Sequence, residues 1–190
     1  KPDEAGWRER VGKFVRPLQV IVASLVVGSV VFLTVVLVIT AARRPGVGNA
    51  DSWTMTWIAL AFLGVMVVVR SVVPGAIVRQ GRRKIAQGIF QLPQARQASQ
   101  QPSLETLTQM GEPGMLLVLF QIKTIIGAAI VEGVTFFLLI VYLIEGHSVA
   151  LGLAVALILA IALHMPSPRG VTHWIEDQLR LMDEERSMTR

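Results

Sequence analysis

The sequence predicts an all-α integral membrane protein with four transmembrane helices and an amphipathic interfacial helix at each end. Three observations carry that expectation. The 190 residues are 53 % hydrophobic and only 16 % charged, and the apolar residues gather in four runs of about 19 to 30 residues, the length that crosses a hydrocarbon layer of about 30 Å. Polar residues do not recur at every third or fourth place inside those runs, as the wet face of a soluble helix requires. The 18 Lys and Arg collect at the ends of the runs.

Residues 1–18 form the first element. Asp3 is a suitable N-cap, and Trp7, Val11, Phe14, Val15 and Leu18 share one face, with Arg8, Arg10, Lys13 and Arg16 elsewhere. Such a pattern suits a helix lying among lipid headgroups. The first span, residues 20–42, carries Ser24 and Gly28 four apart, a small-residue pair that lets a neighbouring helix approach. Arg43, Arg44, Pro45 and Gly46 stop it, and Asp51 or Ser52 is the expected cap of the next helix.

The second span, residues 53–73, opens on an aromatic belt of Trp53 and Trp57. Arg70 stands about one turn inside its far end, where a guanidinium reaches the interface by snorkelling. Pro74-Gly75 is expected to kink or end the buried part, and the basic stretch from Arg79 to Lys84 extends as helix outside the hydrocarbon. The loop 79–113 turns glutamine-rich, with Ser103 capping a short helix to about Met110.

The third span, residues 115–144, is followed by a tight loop at Glu145-Gly146-His147 and by the fourth span, residues 148–165. Gly152, Ala156 and Ala160 recur every four residues there and are expected to form a ridge for helix packing. Pro166 and Pro168 end it. The tail, residues 166–190, is amphipathic again, with Val171, Trp174, Ile175, Leu179 and Met182 on one face. Residues 19–165 are thus one four-span domain.

Basic residues set the orientation. The amino-terminal segment holds five Lys or Arg, residues 70–113 hold six and the tail four, whereas the two remaining loops hold two and none. Both termini and the middle loop are therefore expected to be cytoplasmic, in a bacterial inner membrane. The net charge of +5 follows from topology and not from a basic stripe interleaved with aromatics, so nucleic acid is not an expected partner. The absence of cysteine excludes disulfides and thiolate sites. His147, His164 and His173 have no metal-ligand spacing, no phosphate-binding loop or nucleophile elbow occurs, and neither an enzyme nor a cofactor is expected.

Glu132 interrupts the third span. At ~1.5 Å per residue it lies ~13 Å beyond Lys123 and ~20 Å before Glu145, a depth near the bilayer midplane. An ionisable group there is by default functional, protonated or paired. Thr135, three residues on, is placed to donate to the carboxylate or to join a cation shell. Gly127, Ala129 and Gly133 offer a close helix approach on that span. Gln121 and Lys123 mark either an access route from the cytoplasmic end or a snorkelling lysine, and Arg70 lies at a similar depth.

The string IIGAAIVEGVTFFLLIVYLI, Ile125 to Ile144, resembles the carboxyl-terminal helix of the c subunit of rotary ATP synthases, with Glu132 at the ion-binding carboxylate. Pro74-Gly75, Gly88-Ile89 and Pro93-Gln94-Ala95 resemble motifs of that family's first helix and polar loop. The resemblance covers residues 58–144 and departs from the family in Ile77, Arg79 and Arg83, which interrupt its glycine run, in an insertion of about twenty residues between Ala95 and Lys123, and in the two flanking spans. It implies a proton or monovalent cation bound at Glu132 and a homo-oligomer in the lipid bilayer. Two other readings stay open. In one, the chain is a structural or assembly subunit of a membrane complex, with Glu132 a neutral packing residue. In the other, its amphipathic ends shape or bind lipid.

Overall fold

The structure, a computed structural model, describes residues 4–42, 52–87, 107 and 109–188. Asp3, the Arg43 to Asp51 loop, the Gly88-Ile89 and Pro93-Gln94-Ala95 motifs and the Ser103 cap lie outside the described residues. The described residues hold five helices and no strand: α1 (Glu4–Ala42), α2 (Thr54–Ala86), α3 (Glu112–Glu145), α4 (Ser148–Leu163) and α5 (Pro168–Met188). The first three are long and apolar enough to cross a membrane.

The chain divides into two compact units. The first comprises Lys1–Leu18, Pro74–Thr124 and Pro166–Arg190, the second Gln19–Val73 and Ile125–Met165. Each of the three long helices contributes to both. The second unit takes residues 19–42, 54–73 and 125–145 of them, lengths of ~36, ~30 and ~31 Å, which fit a hydrocarbon layer. Exposed side chains change character at the same places: on α1 from Lys13 and Arg16 to Val20, Val27 and Val31, on α2 from Val65, Val68 and Val72 to Arg79 and Arg83.

In the second unit, α1 buries Val22, Ser29 and Val36, with Leu25, Phe32 and Leu33 half-covered between them. This seven-residue repeat is the seam of a helix packed along its length. Val36, Ala59, Val134, Leu138, Leu139, Val141, Ala150 and Ala154 form the core, tightened by edge-to-face contacts of Phe32 with Phe136 and Phe62 with Phe137 at 5.1 and 5.3 Å between ring centres. The hydroxyls of Ser24, Thr34, Thr40 and Ser71 donate to carbonyls three or four residues back, which satisfies them without water.

The first unit covers the apolar faces of both amphipathic ends with protein. Residues 4–18 are the uninterrupted start of α1, passing through Pro17. Their apolar face is covered by protein: Trp7, Val11 and Val15 share a core with Ile85, Leu107, Met110, Leu116–Leu119, and Val171, Ile175 and Met182 of α5. Arg82 of α2 donates to Gln178 at 3.3 Å and to Glu185 at 2.5 Å, and Arg186 pairs with Glu112 at 2.5 Å.

α2 runs through Pro74 to Ala86, so the helix continues beyond the apolar stretch as the sequence leads one to expect, and the boundary between the two units falls between Val73 and Pro74. The expected fourth span is short: α4 has 16 residues, ~24 Å, and ends before α5 begins at Pro168. Pro166 and Pro168 prevent the helix from continuing. Within α4 the covered stripe is Ala150, Ala154, Ile158 and Ile161. Gly152 and Ala156 are exposed and Ala160 is half-covered, so the small-residue ridge is not the face on which α4 packs within this chain.

Candidate ion-binding site

Glu132 lies on α3 in the second unit, eight residues past Thr124 and thirteen before Glu145. That places it ~12 Å from one end of the unit's share of α3 and ~20 Å from the other, the spacing the sequence itself gives. Its side chain is half-buried. It makes no hydrogen bond or ion pair with any described residue.

Gly28 of α1 faces it. A Cβ on Gly28 would stand 3.7 Å from Glu132 Oε1, so α1 reaches the carboxyl where it has no side chain. One turn further, Phe32 meets Phe136. Both contacts pair a residue of α1 with the one 104 positions later on α3, and α1 and α3 therefore run parallel in fixed register.

Thr135 is fully buried, and its hydroxyl donates to the Val131 carbonyl at 2.8 Å. The expected donation to Glu132 is thus not made, because a hydroxyl has one proton. Its oxygen lone pairs remain as acceptors. Gly127 is buried under the Arg70 guanidinium, whose Nη1 occupies the space a Cβ would take. Ala129 and Gly133 are exposed, so they bring no helix of this chain against α3.

Arg70 is explained by register. Thr56 meets Glu145 and Phe62 meets Phe137, so α2 and α3 run antiparallel and Arg70 stands level with Ala129 to Val131. Its guanidinium on Gly127 is displaced from that level towards the Glu112 end of α3, as snorkelling requires. Among the described residues no carboxylate pairs with Arg70. Lys123, in the first unit, stands 5.4 Å from the ring centre of Trp174, a cation–π contact that also involves Phe120 packed edge-on against Trp174. Gln121 is half-buried in the same unit.

The other described carboxylate of the second unit was not marked as structural by the sequence. Glu145 is buried at the end of α3; Met55 N–H donates to its Oε1 at 2.7 Å, and the Thr56 N–H and hydroxyl donate to its Oε2 at 2.9 and 2.6 Å. It caps α2 from another helix; of the two caps expected from the sequence, Asp51 lies outside the described residues and the Ser52 hydroxyl turns to Thr54 Oγ1 at 3.3 Å. The signal available was topological: an antiparallel hairpin brings the end of the third span beside a helix start that has a free pair of N–H groups. Gly146, at φ 76°, then closes α3, its N–H donating to Tyr142 O, a left-handed cap.

The histidines do other things. His147 stacks on Trp53 at 4.0 Å and lies 3.3 Å from the Ser52 carbonyl, which puts a proton on its Nε2. His164 sits against the Ala160 carbonyl and His173 against Asp177. No cluster of potential metal ligands occurs among the described residues. No protein-family model matches the chain, and neither a curated protein nor a solved structure does so.

Proposed function

We propose that this protein binds a proton or a monovalent cation at Glu132, within a membrane domain similar in its central hairpin to the ATP synthase c subunit. One observation carries the reading: Glu132 is unengaged, in contact range of Gly28, whereas Glu145, in the same unit, is fully committed to capping α2. A glutamic acid kept only for packing has reason to hydrogen-bond across a helix contact. Glu132 instead keeps its oxygens available, and Thr135 offers an acceptor to a protonated carboxyl or a ligand to a cation.

On this reading the chain lies in a bacterial inner membrane with both termini and the first unit, α5 included, cytoplasmic, and α4 makes a short fourth crossing. The Gly152 and Ala156 ridge, exposed in the single chain, favours self-association or a place in a larger membrane complex. The same ridge supports the second reading, a structural or assembly subunit in which Glu132 is neutral and silent.

The test is modification of the detergent-purified chain by a hydrophobic carbodiimide across pH, with mass spectrometry locating the adduct. Labelling at Glu132 that increases as pH falls, is reduced by a monovalent cation or is pH-dependent alone, and is lost in Glu132→Gln supports ion binding. No labelling at any pH, with Glu132→Gln equally stable, leaves the assembly reading.

A further inference from the structure

Ser29 of α1 is fully buried and its hydroxyl has no hydrogen-bond partner among the described residues. It is unlike its neighbours. Ser24, Thr34, Thr40, Ser71 and Thr135 each donate to a carbonyl three or four residues back, whereas Ser29 leaves that donor unused. A buried donor without an acceptor is destabilising, so its persistence at this position asks for a partner that is present in another state of the site.

The α1–α3 register supplies one. With Gly28 opposite Glu132 and Phe32 opposite Phe136, Ser29 stands level with Gly133, one residue from Glu132, about 1.5 Å along the axis. Ser29 lies in the covered seam of α1, between Val22 and Val36. The layer holds little else that is polar. By the α2–α3 register, Glu132 is level with Val67 to Val69. Past Ser148, α4 has no polar side chain, and the Thr135 proton is already given to Val131.

We propose that Ser29 is the hydrogen-bond donor that receives Glu132 when its carboxyl is ionised, so that α1, which lies outside the stretch resembling the c subunit, completes the site. The proposal rests on the reading of Glu132 as an ion-binding group. Gly28 makes it feasible, since α1 reaches the carboxyl there without a side chain between. A donor to the charged form stabilises that form, and among side chains as apolar as those level with Glu132 a single hydroxyl weighs heavily. When the carboxyl is protonated the bond is not required, and the two groups stand apart as they do here.

Few other charges act on Glu132. The share of α1 in this unit and all of α4 carry no titratable side chain. Arg70 of α2 lies on Gly127, five residues along α3, and Glu145, thirteen residues along, is held by Met55 and Thr56. The pH response of Glu132 is therefore sensitive to Ser29.

The experiment is the pH profile of carbodiimide labelling at Glu132 in the full chain and in Ser29→Ala, Ser29→Thr and Ser29→Cys. Loss of the donor makes ionisation harder, so Ser29→Ala is expected to move the half-labelling pH up by about one unit. Ser29→Thr keeps the hydroxyl and the native midpoint. Ser29→Cys, of nearly equal size with a weak donor, falls between and serves if Ser29→Ala does not fold. Thr34→Ala, which removes a hydroxyl bonded to its own helix, leaves the midpoint unchanged. Coincident midpoints in native protein, Ser29→Ala and Ser29→Cys overturn the role of Ser29 while leaving Glu132 as an ion-binding group. No adduct at Glu132 in the native protein at any pH overturns both.

Discussion

Glu145 Oε2 accepts both the backbone N–H and the hydroxyl of Thr56, at 2.9 and 2.6 Å, so the last residue of α3 is the N-cap of α2. The same carboxylate takes the Met55 N–H. A carboxylate at a helix start is favoured by the unsatisfied N–H groups and by the helix dipole, and here it also locks two helices together. Glu145→Ala is expected to cost about 2 to 3 kcal/mol, since hydrogen bonds to a charged group are lost and buried donors are left bare. Thr56→Val, which spares both backbone bonds, is expected to cost about 1 kcal/mol. Thermal or denaturant unfolding in detergent measures both, and the double variant should fall short of the sum, because the two changes remove one shared contact.

Trp7 is 9 % exposed and belongs to the first unit's core with Val171, Ile175 and Met182. Trp7→Ala is therefore expected to destabilise the protein by about 3 kcal/mol or more through an unfilled cavity. A headgroup anchor would behave otherwise: the variant would melt like the native protein and bind vesicles less. Melting curves beside vesicle partitioning of Trp7→Ala separate the two, and loss of stability is the expected outcome.

Gly114 is held by backbone. A Cβ there would run into the Leu107 carbonyl and stand 3.1 Å from the Met110 Cβ, neither of which is the free end of a side chain. Gly114→Ala is expected to cost about 1 to 3 kcal/mol and to loosen the packing of Leu107 and Met110 on α3, seen as faster amide exchange at those two residues. Gly127→Ala is the control. The obstacle at Gly127 is the tip of Arg70, which can swing towards the interface, so its cost should stay below about 1 kcal/mol.

The all-helical class and the three helices long and apolar enough to cross a membrane were legible in the sequence because hydrocarbon demands unbroken apolar length, and the carboxyl-terminal end of α1 and both ends of α3 fall within a few residues of the expected ones. What was hidden has a common cause. In residues 20–42 both the lipid side and the protein side are apolar, so the seven-residue repeat of Val22, Ser29 and Val36 leaves no trace in the pattern, and Ser29 passed as one more small residue. On α4 every position is small or aliphatic, and Gly152, Ala156 and Ala160 stood out by size although Ala150, Ala154 and Ile158 are the covered ones. The amphipathic face of residues 7–18 was visible, but an apolar face does not say whether lipid or protein covers it. Glu132 was found because a charge among apolar residues is conspicuous. Glu145 was passed over because a carboxylate beside a turn is not.

Two arginines of the first unit should respond differently to the loss of their partners. The Arg82 side chain is 14 % exposed, bonded to Gln178 and Glu185, with its Nε buried and unpartnered, whereas Arg186 and Glu112 are 39 % and 40 % exposed. Water already screens the second pair, so Glu112→Gln is expected to cost no more than about 1 kcal/mol, and raising the salt concentration should erase much of the difference from native protein. Glu185→Gln removes the anion from a guanidinium that water reaches poorly. It is expected to cost more, about 1 to 2 kcal/mol after allowance for the partial exposure of Glu185, and to be less sensitive to salt. Replacing both members, Arg82→Met with Glu185→Leu, should recover part of that loss, since the penalty comes from a charge left without its partner rather than from the absence of the pair. Denaturant unfolding of the native protein and the three variants at low and high salt measures these differences. Equal costs and equal salt responses for Glu112→Gln and Glu185→Gln would mean that Arg82 is as well hydrated as Arg186.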